Sequence, residues 1–194
     1  TIPCPMDARD AFSAVFFMLC MPGSELAVNF YTQLRDELRE RTKNGVGVIE
    51  REKFRLVWDN LPLWYNLKIF DYLNSLGAVV AAEVFSHTWS GSLDSSKPLE
   101  SLARKYLPNM ANSTIQRRID IILGLVKGFR ANGVVLPTNR GCRMMSIGET
   151  IVRDAAYEKL SVPSLIIDVD STDWRVAGEA QVKERLTTFL ETLK

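Results

Sequence analysis

Residues 78–85 read AVVAAEVF. A strand with one wet face alternates apolar and polar side chains; this run of small and β-branched residues describes a strand covered on both faces. Upstream, LWYNLKIFDYLNSLG (63–77) sets Leu63, Leu67, Phe70 and Leu73 on one helical face and ends on Gly77. Before it, FRLVWDN (54–60) is a short apolar run. Strand, helix and doubly buried strand make the unit of a parallel sheet with right-handed crossovers.

The rhythm continues downstream. SHTWSGSLDSSKP (86–98) reads as loop, and a long helix then carries the stripe Ile115, Ile119, Ile122, Val126 and Phe129. GVVLPTN (133–139) is a third strand. Ser146-Ile-Gly-Glu149 has the spacing of a capping box opening a helix that runs to Leu160. PSLIIDVD (163–170) is a fourth strand, and the last helix bears Val182, Leu186, Phe189 and Leu193. Upstream of the sheet, residues 7–42 are helical with a break at Pro22-Gly23. The stretch from Ala11 to Met21 reads as a buried helix. In the helix after the break, Leu26, Phe30, Leu34 and Leu38 are spaced four apart, Ser24 caps its start and Asn44-Gly45 stops it. The pattern predicts an α/β fold: a four-stranded parallel flavodoxin-like (Rossmann-like) sheet over residues 51–194 with flanking helices. Residues 1–50 form a helical segment belonging to a preceding domain, with the boundary between Asn44 and Glu52.

Composition excludes several functions. The 24 Lys and Arg against 23 Asp and Glu leave a net charge of +1, no basis for bulk attraction to nucleic acid or an anionic membrane. The apolar run Ala11–Met21 falls short of the ~20 residues that span a bilayer, and no basic segment precedes it as in a secretory signal. Three cysteines, Cys4, Cys20 and Cys142, are odd in number and widely spaced, so a disulfide framework is not expected and a reducing cytoplasm is.

In an open parallel sheet, ligands bind beyond the carboxyl ends of the strands. Four loops qualify: 60–62, 86–91, 138–145 and 168–174. In the third, Cys142 stands before a helix and between Arg140 and Arg143. A helix start and two guanidiniums favour the thiolate, which attacks electrophiles or binds soft metals; an inert small residue in a turn is the plain alternative. His87, the one histidine, is a base that could face it, or a loop residue bonded to backbone. IIDVDST (166–172) matches the strand and DxDxT of haloacid-dehalogenase-like phosphotransferases, but lies on the last strand with one helix after it, so Asp168 and Asp170 read as strand-end and turn-capping acids. NGVGV (44–48) lacks the GK[ST] of a phosphate loop. Trp58, Trp64 and Tyr65 cluster at one strand end and read as core.

Four stretches in order resemble one family: REKFRLVWDNLPLWYNL (51–67), NGVVLPTNRGCRMMSIGET (132–150), VPSLIIDVDSTDWR (162–175) and EAQVKERLTTFLETL (179–193). The chain resembles the 2-hydroxyacyl-CoA dehydratase and benzoyl-CoA reductase iron–sulfur subunits from about Gly23 onward. The resemblance implies Rossmann-like domains and a related second subunit. It implies a [4Fe–4S] cluster fed by an ATP-hydrolysing iron–sulfur activator protein, and single-electron chemistry on an acyl-CoA thioester. Cys142 then matches the cysteine of the family's Asn-Arg-x-Cys turn, a metal ligand, with Asn139 and Arg140 beside the cofactor. Asn60, Ser86, His87 and Trp89 would line the substrate pocket. Gly141 stands where the family has Ser. The other cluster cysteines are not found here, since Cys4 and Cys20 match none of the motifs, and the chain reads as the C-terminal part of a subunit. Two other readings remain: a cluster-less scaffold or binding subunit, and a cysteine-dependent acyl-transfer enzyme using Cys142 and His87.

Overall fold

The computed structural model describes residues 1–89, 91–112 and 114–193. Four strands, β1 (Phe54–Trp58), β2 (Ala78–Glu83), β3 (Gly133–Asn139) and β4 (Ser164–Val169), form one parallel sheet in the order β2-β1-β3-β4. That is the predicted flavodoxin-like arrangement. The chain winds outward from β1 to β2, then crosses back to β3 and β4. The order therefore reverses between β1 and β3, the switch point beyond whose carboxyl ends ligands bind in open parallel sheets.

Two helices open the chain, α1 (Ala8–Cys20) and α2 (Glu25–Asn44). Helix α3 (Lys68–Ser75) joins β1 to β2. Between β2 and β3 lie α4 (Val84–Trp89), α5 (Pro98–Tyr106), a short 3-10 turn and α6 (Ile115–Phe129). Two helices follow β3, α7 (Arg143–Ser146) and α8 (Glu149–Leu160), and α9 (Glu179–Thr192) closes the chain.

Strand residues alternate between two cores, as a period of two requires. Leu56, Trp58 and Val135 pack with Phe70 of α3, Leu186 and Phe189 of α9, and Phe12 of α1. Val57, Val134 and Leu136 pack on the opposite face with Ile122 and Val126 of α6 and Val152 and Ala156 of α8. All six residues of β2 are buried, as its lack of polar alternation demands.

Four local features differ from expectation. Residues 86–89 are helical: β2 runs directly into α4, because the Glu83 carboxylate accepts the Ser86 amide at 2.8 Å and starts the helix without a loop. Ser90 of the expected 86–91 loop lies outside the described residues. The Ser146–Glu149 capping box does not form. Gly148, in a left-handed conformation (φ 84°), heads α8, while Ser146 ends α7 and donates its hydroxyl to Asn139 O at 2.9 Å. Helix α1 is only partly buried: Phe12 is covered, but Phe16 and Cys20 face solvent. Helix α2 buries Ala27 alone, although Ser24 and Gly45 cap it as expected.

Candidate functional site

The carboxyl ends of β1, β3 and β4 are knitted into one surface. After β1, Asn60 holds a positive φ of 69°, a conformation that asparagine tolerates better than most residues. Its Nδ2 donates to Pro137 O at 2.7 Å and to Ser146 Oγ at 3.3 Å, and its Oδ1 accepts the Leu61 amide at 2.7 Å. After β3, the Asn139 Oδ1 accepts the amides of Gly141 (3.1 Å) and Ser171 (3.3 Å). The Asn139 carbonyl accepts the Cys142 amide at 3.0 Å. After β4, the Asp170 carboxylate accepts the amides of Gly141, Thr172 and Asp173 at 2.9–3.0 Å. Those donors, led by the Thr172 and Asp173 amides, hold the Asp170 carboxyl below its usual range. Asp170 is a turn-forming acid, as the plain reading of IIDVDST has it.

Cys142 sits at the crown of this surface, half-buried, at the head of the four-residue α7. Its apolar side packs toward the α6–α8 core. The electrostatic setting is not the one read from sequence. Arg140 is turned to Asp168, with its Nε at 3.1 Å and a second nitrogen at 2.6 Å, so its charge is committed to that carboxylate. Asp168 is in turn held below its usual range by the Arg140 bond.

Beneath the crown lies a buried polar network that sequence reasoning did not assign. The Asp59 carboxylate, fully buried, is gripped by two nitrogens of Arg118 from α6, whose third nitrogen donates to Ile147 O at 3.0 Å. Glu149 is 4% exposed. One carboxyl oxygen accepts the Thr138 hydroxyl, and the other has no hydrogen-bond partner among the described residues. Burial pushes its pKa up to about 7, partly offset by Thr138 and Arg118 and reinforced by Asp59. The Asn139 Nδ2 is also buried without a partner among the described residues. One signal for this network was present: Arg118 falls on the apolar stripe of Ile115, Ile119 and Ile122, and a charge there needs a buried partner.

The pocket residues divide. Asn60, Asn139, Arg140 and Cys142 come together at the switch point. Ser86, His87 and Trp89 lie on α4, which follows the edge strand β2 and packs against α1, where Ser86 Oγ donates to Ala11 O at 3.2 Å. His87 is exposed and lines a cavity of about 460 Å³ with Glu83, Phe129 and Arg55. The Trp89 ring packs edge-on to Phe85, and its indole nitrogen is buried without a partner among the described residues.

The other two cysteines are elsewhere. Cys4 is buried beside Val79 and Ala81 with its thiol donating to Met6 O at 2.9 Å, and burial pushes that thiol up. Cys20 is exposed at the end of α1. Among the described residues no group of three or more His, Cys, Asp or Glu side chains is arranged to hold a metal ion. A [4Fe–4S] cluster needs about four thiolates, so the residues of this chain do not by themselves fit one. Among the described residues, no helix is long and apolar enough to cross a membrane.

A family model described as 2-hydroxyglutaryl-CoA dehydratase, D-component, matches residues 1–193. The chain belongs to this family. It is 28% identical to a subunit of benzoyl-CoA reductase from Thauera aromatica, over 97% of this chain and 47% of the relative. It is 25% identical to the alpha subunit of lactoyl-CoA dehydratase from Anaerotignum propionicum, over 99% and 46%. It is also 25% identical to the alpha subunit of (R)-2-hydroxyisocaproyl-CoA dehydratase from Clostridioides difficile, over 99% and 47%. The chain spans about half the length of the curated relatives it matches. The resemblance read from four motifs is thus shown for the dehydratase and reductase subunits as a family.

Proposed function

We propose that this chain is the C-terminal part of a cytoplasmic iron–sulfur subunit of an ATP-dependent, radical-type 2-hydroxyacyl-CoA dehydratase or benzoyl-CoA reductase. Cys142 supplies one thiolate ligand to a [4Fe–4S] cluster whose other ligands come from outside this sequence. Arg140 borders Cys142, and the fully buried Asn60 and Asn139 hold its turn from beneath. Residues 1–50 join this domain to the rest of the subunit, with Phe12 as their anchor on the sheet. A related second subunit and an ATP-hydrolysing activator complete the system.

The observation that carries this reading is the Cys142 turn itself. A half-exposed thiol stands at the switch point of a parallel sheet, on a turn fixed by Asn139 and Ser146, with Asp170 bracing Gly141. A metal ligand benefits from a support that locks its position. A bound cluster would supply single electrons to the thioester. The chain's own residues hold the ligand and fix the turn that carries it.

The test is iron and acid-labile sulfide analysis of the full-length subunit, purified anaerobically with its partner. Cys142→Ser should lose most of the iron while Cys20→Ser keeps it; equal iron in both variants refutes the ligand role. A cluster-less scaffold is the reading that the separation of Cys4, Cys20 and Cys142 favours, and it predicts no iron in the wild type either. The acyl-transfer reading lacks support, since His87 stands beyond the edge strand β2 and Cys142 at the end of β3, with β1 between them.

A further inference from the structure

Helix α5, inserted between β2 and β3, is turned inside out. Its Leu99, Leu102 and Tyr106 recur at i, i+3 and i+7, the stripe that an amphipathic helix normally buries. They are 82%, 38% and 43% exposed, and the residue that α5 buries is the small, polar Ser101. A second aliphatic set faces solvent around the start of α8: Met144 on α7, Ile147 in the link and Ile151 on α8, at 60%, 60% and 52%. Both sets stand at the carboxyl-end side of the sheet, since the chain leaves β2 there for α4 and α5 and leaves β3 there for α7.

The second set is presented on a fixed backbone. Arg118, itself clamped by Asp59, donates to Ile147 O at 3.0 Å, so a buried ion pair holds the residue that points Ile147 outward. Ile115 is seated on Gly148, where a Cβ would stand 2.6 Å from Ile115 Cδ1. Small ligands are enclosed in concave pockets; aliphatic side chains that project together from a surface mark contact with another protein surface.

Two observations say which surface. Relatives that match nearly all of this chain are matched over only 46% and 47% of their own length, so more than half of such a subunit lies outside the match. Met144 and Ile147 also follow Cys142 within five residues. The cluster reading above brings the remaining ligands to Cys142 from outside this sequence, and the segment that carries them must pass over this face.

We propose that the apolar face formed by α5, α7 and the start of α8 is the seat of the half of the same subunit that lies outside these 194 residues. The direction of approach rests on the cluster reading. A covalent tether makes the contact intramolecular, so it forms ahead of any contact with a second copy or a second subunit.

Carbene footprinting of the full-length subunit tests this, alone and with its related second subunit, each labelling rate divided by that of the urea-unfolded subunit. In the lone subunit Leu99, Leu102, Tyr106, Met144, Ile147 and Ile151 should be labelled no faster than the fully buried Leu56 and Leu136. Labelling near the unfolded rate in the lone subunit overturns the proposal, whether the second subunit then covers the face, a second copy covers it as concentration rises, or nothing does. Leu102→Asp in the full-length subunit gives an independent reading. An unpaired carboxylate pressed into a covered face should weaken the contact about a hundredfold, seen as faster amide exchange along α5; unchanged exchange overturns the proposal as well. Neither readout involves iron. A covered face in a subunit without iron would sink the cluster reading and leave the seat standing, and an open face with Cys142-dependent iron would do the reverse.

Discussion

Glu149 gives the most demanding test of the buried network. In the fold its carboxyl has a pKa of about 7 against an ordinary value of 4.5, because burial disfavours the charge and one oxygen has no partner among the described residues. A folded-state pKa above the unfolded value means the protonated form is favoured in the fold. The stability from this group is therefore complete below about pH 4.5 and is lost as the pH rises through about 7. Each pH unit of separation is worth about 1.4 kcal/mol, so the full loss approaches about 3 kcal/mol, of which roughly 2–3 falls between about pH 5 and pH 8. Glu149→Gln keeps the shape and removes the charge. Asp59 and Glu83 are also raised by burial and give the wild type a slope of the same sign, so the informative quantity is the difference between variant and wild type. Urea denaturation at about pH 5 and pH 8 measures it. The variant should gain roughly 2–3 kcal/mol on the wild type between the two. A difference that stays constant across that window would show that Glu149 is ionised in the fold at both, and the burial argument would be wrong.

Asp59→Ala strands the Arg118 guanidinium in the core and should cost about 3–5 kcal/mol by urea denaturation, whereas breaking an exposed pair such as Arg153–Asp154 should cost well under about 1 kcal/mol. Phe12→Ala should cost about 3–5 kcal/mol in one cooperative transition, since Phe12 is fully buried among Trp64, Phe70 and Phe85; a loss of α1 helicity at unchanged sheet stability would instead mark the N-terminal segment as a separate unit.

The sheet was legible because its signal is local and redundant. A doubly buried strand looks like AVVAAEVF whatever surrounds it, and each intervening helix advertises one apolar face. The miss at residues 86–89 has a local cause as well. The helix start there is a carboxylate at the end of the strand, in place of a glycine, proline or polar cluster. The capping box failed because spacing alone cannot see the left-handed Gly148 that separates Ser146 from the helix it was meant to open. The site was legible only in part. The convergence of Asn60, Asn139 and Cys142 was legible since strand ends in a parallel sheet come together by topology. The Arg140–Asp168 pair and the Asp59–Arg118 pair bridge segments 28 and 59 residues apart, and no short-range pattern encodes such a partner. Both pairs alter the chemistry assigned from sequence. The first commits to Asp168 a guanidinium that the sequence places beside Cys142. The second, with Glu149, places a charged and protonatable layer directly under the turn that carries it. The exposed crown of this site follows from motif and topology, and its electrostatics from long-range partners, so a variant of Arg118 or Glu149 tests the site's chemistry in a way no substitution within the Asn-Arg-Gly-Cys turn can.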